Sequence, residues 1–272
     1  MRGVARKAED ARRAAAAALE RQRQEQQDAA NQRQQVVRTE PKPDAKTLEG
    51  GLSALDRPTG DARERVRRFV SAYNGGDCFF VEPVLIADQK ATLEGYGSSA
   101  APFEVLDYEF KRANGFEATV GYHAVSAQQC AAISFLSRLR NQGGQRLRLD
   151  LSAGNLQSDG YISGSMSGYG NRHIELLMVD HVGMVQSLTD LLKGAGDIKT
   201  FIVNLRREDP GPPKLQLVLG VASNAPLDNL RPARAGSPEI GAADKVFAKV
   251  LDEAQRLNQT LSVSVKSFNF EK

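Results

Sequence analysis

The chain is 272 residues long, 41% apolar and carries a formal net charge of +3, enough for two ordinary hydrophobic cores. Residues 1–40 hold nine Lys/Arg against six Asp/Glu, which accounts for the whole surplus, so no folded region concentrates the positive charge that a nucleic-acid binder needs. Tryptophan is absent and aromatics make up 6%, which advertises no base- or sugar-stacking surface, and no run approaches the roughly 20 apolar residues of a membrane span.

The opening MRGVARK followed by AAAAAL copies the basic and apolar parts of a signal peptide. Its apolar part is short, nearly all alanine, and runs straight into ERQRQEQQD, so no export signal is expected. Residues 1–38 are rich in the helix formers Ala, Arg, Glu and Gln. Beyond Met1, their only larger apolar residues are Val4, Leu19, Val36 and Val37, too few to sustain a heptad, which predicts a solvated polar helix serving as a spacer. Residues 39–60, with PKP, GG and RPTG, predict a flexible linker.

A first unit is expected over 61–141. Val66, Phe69, Val70 and Tyr73 recur at helical spacing, and Gly75-Gly76 ends that helix. Phe79 to Ile86 reads as a strand and Ala91 to Gly95 as a weaker one. Phe103, Leu106 and Phe110 give the next helix its buried stripe behind Pro102. Gly115 restarts an extended segment, FEATVGYHAV, and a last helix opens near Ser126 with Cys130, Ile133, Leu136 and Leu139. The order is αββαβα. A second unit is expected over 145–272. Leu147, Leu149 and Leu151 alternate with charged residues, and the same period of two returns at Phe201–Leu205, Leu215–Val221 and Leu261–Val265. IELLMV from Ile174 is apolar throughout, as a central strand covered on both faces would be. Short strands between Gly, Asn, Asp and Pro turns predict an antiparallel sandwich. Val246, Phe247, Val250, Leu251 and Leu257 mark one amphipathic helix, expected over an open end or edge of the sheet. The fold class expected is α+β.

Cys78 and Cys130 are the only cysteines. They read either as a disulfide, which would place the fold in an oxidising compartment, or as two reduced, buried small hydrophobes. Neither has a second ligand at zinc spacing, and no metal or cofactor is expected. Gly95-Tyr96-Gly97-Ser98-Ser99-Ala100 matches GxGxxA, but the strand before it is short and polar where a dinucleotide fold needs an apolar one. A tight turn into a capped helix explains these residues. His123, His173 and His181 are scattered, and Asp180-His181 reads as a hairpin. An enzyme would need a cleft in which one of these histidines meets a carboxylate. SGSMSGYG reads as a polar strand and turn, no nucleophile elbow is present, and protein-kinase signatures are missing.

The stretch from VEPVLIADQKATLEGYGSS to GFEATVGYHAV, with Leu93-Glu94-Gly95 and Gly115-Phe116 at its turns, is similar to a BON-type domain. The phrases GDCFFVEPV, PFEVLDYEFKRANGFEATVGYHAVSAQQC, HIELLMVDHVGMVQSLTDLL and PLDNLRP resemble the C-terminal region of alphaproteobacterial serine/threonine protein kinases. Related regions also follow caspase-like peptidase domains. The resemblance implies a BON-like unit followed by an Ig-like β-sandwich unit, joined by an Ala/Arg/Glu-rich linker to an enzyme that this chain would lack. It also implies that the chain is a piece of a longer protein. The expected function is that of a non-catalytic sensor or interaction region, taking a protein partner or a small ligand of unknown identity. The alternative is a free-standing envelope-associated protein that contacts lipid or cell-wall polymer. The expected binding surfaces are the cleft between the units and two sets of loops, Gly95, Tyr96, Gly97 and Ser98, then Tyr169, Asn171 and His173. The cysteine pair favours a periplasmic location, with the cytoplasm left open.

Overall fold

The computed structural model describes residues 62–87, 89–140, 147–152, 155–156, 159–206, 214–232 and 236–270. The expected spacer over 1–38 and linker over 39–60 lie outside the described residues. Within Pro58–Lys272, which form one compact unit, the chain begins with α1 (Ala62–Ala72), β1 (Phe79–Ala87), β2 (Lys90–Gly97), α2 (Ala101–Asn114), β3 (Ala118–Ala124) and α3 (Cys130–Leu139). This is the αββαβα order read from the periodicities. Strand β1 runs antiparallel to β2, and β2 runs parallel to β3 across the α2 crossover. One face of this sheet is covered by α1 and α2. Val66 and Val70 from α1, Phe103, Leu106 and Phe110 from α2, and Phe79, Val81, Ala91 and Leu93 from the strands close one apolar layer. The Phe69 and Phe110 rings meet edge to face at 5.5 Å, a favoured aromatic geometry.

Helix α3 is entered through a 3₁₀ turn, Ala127–Gln129, closed by reciprocal side-chain bonds. Ser126 Oγ accepts from the Gln129 N–H at 3.2 Å, and Gln129 Oε1 accepts from the Ser126 N–H at 3.1 Å, a capping box. The buried Gln129 side chain also donates through Nε2 to the Leu215 carbonyl at 3.0 Å and the Val179 carbonyl at 3.3 Å. One residue thus starts the helix and fastens it to strands far away in the chain.

The remaining strands are β4 (Arg148–Leu151), β5 (Asn155–Leu156), β6 (Asp159–Ser167), β7 (His173–Val179), β8 (Met184–Ser187), β9 (Ile198–Arg206), β10 (Lys214–Ser223), β11 (Glu239–Ala242) and β12 (Ser262–Phe270), with α4 (Ala243–Arg256) before the last. They form a six-stranded sheet in the order β11-β8-β7-β10-β12-β5 and a three-stranded sheet in the order β4-β6-β9. All pairs are antiparallel except the short β12–β5 contact. Leu149, Ile162, Met166, Phe201 and Val203 of the small sheet pack on Leu176, Met178, Val218 and Phe268 of the large one, an arrangement compatible with the expected sandwich. Among the described residues the fold is therefore α+β, with four α-helices and mostly antiparallel sheets.

Helix α4 meets the edge strand β11 and its neighbour β8. It lies on the other face of the six-stranded sheet beside α3, with Phe247 stacked on Phe135 at 4.6 Å and Val246 and Val250 in one cluster with Leu177, Leu217, Leu219 and Val265. One expectation needs correction. Strand β10 is not half-buried, as its alternation suggested, but buried from Gln216 to Ser223. The alternation Leu217, Leu219, Val221 marks only the face towards α3 and α4. The intervening Val218 and Ala222 are small residues that fill the opposite face against the three-stranded sheet.

A buried carboxylate closes the far end of α4. Glu253 accepts from the Asp228 N–H at 2.8 Å, the Asn229 N–H at 3.1 Å and Asn229 Nδ2 at 2.8 Å. Burial pushes its pKa up, but the Asn229 side chain and these backbone donors outweigh burial and hold it below the usual range.

Candidate functional site

Cys78 and Cys130 form a disulfide. Cys78 immediately precedes β1 and Cys130 opens α3, so the bond ties the first sheet to the helix that separates it from the six-stranded sheet. A disulfide is compatible with an oxidising location.

The first sheet presents its second face towards α3 and β12. Along β2, Leu93 is buried towards the α1/α2 layer while Tyr96 joins the α3 cluster, so Glu94 shares the face of Tyr96 by the two-residue period. His123 lies opposite Tyr96 in the parallel register, and the two rings stack at 4.9 Å and 17°. His123 Nε2 lies 3.0 Å from Glu94 Oε1, and its Nδ1 lies 3.3 Å from Ser267 Oγ on β12. Lys266, the neighbour of Ser267, donates to the other oxygen of Glu94. In the tautomer protonated on Nε2, the imidazole donates to the carboxylate and accepts the serine hydroxyl. The side chains of His123, Glu94 and Lys266 are 31%, 20% and 23% exposed. The charges are thus partly withdrawn from water, where pairing is worth more than at an open surface.

Burial alone would push the Glu94 pKa up. The hydrogen bonds from His123 and Lys266, together with their charges, win and hold it at about 2. Burial, and then the charges of Glu94 and Glu82, push Tyr96 well above its ordinary value. Its hydroxyl is buried beside Ser267 and Glu94. Among the described residues, His123 is the histidine that pairs with a carboxylate. The order Ser267, His123, Glu94 is that of a proton relay, but the carboxylate is shared with the Lys266 ammonium, which balances its charge. The group acts as a polar link between the first sheet and β12. Among the described residues no group of His, Cys, Asp and Glu is placed to hold a metal ion.

Compared with protein-family models, curated proteins and solved structures, the chain matches none of them.

The loops expected to bind are placed differently. Gly95, Tyr96 and Gly97 are not in a turn but end β2, where all three are buried, and only Ser98 is exposed. Nor is the helix after them capped by a side chain, since Ala100 stands at its N-cap. The glycines are required by packing. A Cβ on Gly95 would lie 2.2 Å from the Phe103 ring and one on Gly97 2.9 Å from it, so the ring of α2 lies flat on bare backbone. Gly95→Ala is expected to cost about 1–3 kcal/mol by overpacking, read as a lower urea midpoint, and adding Phe103→Leu should recover most of it. Equal midpoints for Gly95→Ala and wild type would overturn this account.

In the second set, Tyr169 is buried and its hydroxyl donates to the Gly196 carbonyl at 2.5 Å. Asn171 and His173 are exposed, and His173 opens β7 opposite Ser223. His181 belongs to the β7–β8 hairpin, where Asp180 Oδ1 accepts from Val182 and Met184, and its carbonyl accepts from Ser126 Oγ at 2.7 Å. Neither His173 nor His181 joins the polar link. Lys266 and Ser267 were not singled out from the sequence, and Glu94 was named only within Leu93-Glu94-Gly95 as a turn, whereas it lies inside β2. The available signal was the polar stretch ADQKATLE read as a poor strand, whose inward-facing charge is Glu94.

The outer face of the three-stranded sheet exposes large apolar side chains. Tyr161 and Ile202 are 68% and 66% exposed, and Ile198 is 57% exposed. Between them Ser163, Ser165 and Ser167 face Ile202, Thr200 and Ile198 in register, and the charges Arg148 and Asp150 stand on β4 at one side. No helix among the described residues is long and apolar enough to cross a membrane.

Proposed function

We propose that this chain is a non-catalytic interaction region of a bacterial signalling protein, working in the periplasm and docking a protein partner. In this reading the αββαβα part is the BON-like unit, the paired sheets are the Ig-like sandwich, and the enzyme to which such regions are joined lies elsewhere in a longer chain. One observation carries the reading: the outer face of the β4-β6-β9 sheet. Large apolar side chains are exposed there among the serines and threonine of β6 and β9, with Arg148 and Asp150 at the β4 margin, the composition of a protein-docking patch with a polar rim and not of a solvated face. The Cys78–Cys130 bond supports the compartment.

The alternative, contact with lipid or cell-wall polymer, calls for a different surface chemistry. On this face the Arg148 charge is offset by the neighbouring Asp150, so it offers little net positive charge to an anionic headgroup.

The test is a photo-crosslinking amino acid placed at Tyr161 in the producing bacterium, with the same residue at the exposed Tyr108 of α2 as control. A crosslink from position 161 alone to a protein kinase or another signalling protein is the expected result. Crosslinks to lipid or glycan, or equal crosslinking from both positions, would replace the reading with the envelope-binding one. Salt-sensitive cosedimentation with anionic vesicles would point the same way.

A further inference from the structure

We propose that two copies of this chain pair edge to edge through β9, joining their three-stranded sheets into one continuous sheet. Strand β9 borders its sheet and has β6 on one side only. On the other side, the N–H and C=O of Thr200 turn outward and close a bridge to Lys193, both bonds at 2.8 Å. Backbone polarity alternates along an antiparallel strand, so the N–H and C=O groups of Ile202 and Asn204 point outward as well. Strand β6 agrees: Ser163, directly opposite Ile202, directs its own N–H and C=O to Ser152 on the β4 side. Among the described residues no hydrogen-bond partner meets the outward groups of Ile202 and Asn204.

The edges of the molecule are guarded unequally. Strand β1, which borders the first sheet, carries Pro83 and a register break beside it, two devices that stop a further strand from adding. Strand β9 has neither over Thr200–Asn204, pairs with β6 without a register shift, and bears no charge in that stretch.

The same stretch is complementary to itself. With Val203 on a two-fold axis, Ile202 meets Asn204 of the second copy in hydrogen-bonded pairs. On the inner face Phe201 meets Leu205 and Val203 meets Val203. No like charges are opposed between residues 200 and 206, and the pairing ends where Lys193 already occupies Thr200. A two-fold interface uses one patch twice, and cross-strand pairs of this kind are the unit of sheet stability. The inference does not rest on the signalling reading.

The experiment uses the full chain. Analytical ultracentrifugation should give twice the 29.6 kDa of one copy, with slow hydrogen exchange at the Ile202 and Asn204 amides. Ile202→Pro removes only an outward N–H, which an edge strand tolerates, and should return the monomer with an unchanged circular dichroism spectrum. Asn204→Lys, which keeps every backbone group, should do the same, and it decides the matter if the proline variant does not fold. A wild-type monomer whose Ile202 and Asn204 amides exchange fast would overturn the proposal. So would a dimer that leaves those amides unprotected or survives both substitutions.

Discussion

The double variant Cys78→Ser, Cys130→Ser is expected to unfold at a markedly lower urea concentration than the wild type. The bond closes a loop of sequence separation 52, and on the chain-entropy account such a closure stabilises by about 4 kcal/mol, with measured losses of about 2–5 kcal/mol. The bond also holds a strained backbone position. Cys78 holds φ at +54°, a left-handed conformation that costs an L-residue about 1–2 kcal/mol. Serine retains that cost and lacks the link that holds the conformation. Cys78 is also buried beside Phe80 and Val125 in the cluster shared by α3 and the six-stranded sheet, so loosening it reaches both halves of the core. The measurement is urea unfolding of the full chain with and without reductant. Reductant should lower the wild-type midpoint to that of the double variant and leave the variant where it is. A wild-type midpoint indifferent to reductant would sink the expectation. Non-reducing peptide mapping of native protein, with thiols blocked at lysis, would at the same time show whether the bond forms in the cell.

The second large effect concerns acid. Glu94 has a pKa of about 2 in the folded chain against an ordinary 4.5, so its ionised form favours folding. The stability it supplies is fully present above about pH 5. It is lost progressively as the pH falls through the unfolded value towards the folded one. The two values correspond to roughly 3 kcal/mol. Glu94→Gln should therefore be less stable than wild type at pH 7, because Lys266 is left half-buried without its counter-charge. The two proteins should converge as the pH falls from 5 towards 2. Lys266→Met removes one of the two partners of Glu94, so the wild-type loss should begin at higher pH in that variant. Other carboxylates titrate in the same window, Glu253 among them, so the informative quantity is the difference between each variant and wild type. A pH-independent difference for Glu94→Gln would mean that the carboxylate is not held in its ionised state by the link.

Much of the local structure was legible. The helical stripes Val66–Tyr73 and Phe103–Phe110 and the apolar run of β7 lie where their periods place them, because each element must bury one face, or both, in any fold it joins. The polar link was not legible. Glu94 and Lys266 are 172 residues apart, and His123 and Ser267 are 144 apart. Each sits on a strand whose neighbours look ordinary. Their meeting depends on the parallel register that sets His123 opposite Tyr96 and on how β12 approaches the first sheet. No local pattern carries either quantity. The glycines of GYG show the same limit. Read as a motif, they suggest a turn; in the fold they are the floor under the Phe103 ring.

What the sequence by itself determined is most of the elements and one inward face of each; that Cys78 and Cys130 pair was decided by the tertiary structure. What only the tertiary structure decided is which faces are covered twice. It set α3 between the first sheet and the six-stranded one with α4 beside it, buried β10 on both sides, and brought a histidine, two charges and a serine to one seam. It also left β9 with an unguarded edge while β1 is closed by proline. The physical reason is that side-chain period reports burial against something, whereas the partner is chosen by register and crossover, which balance backbone pairing and apolar burial over the whole chain.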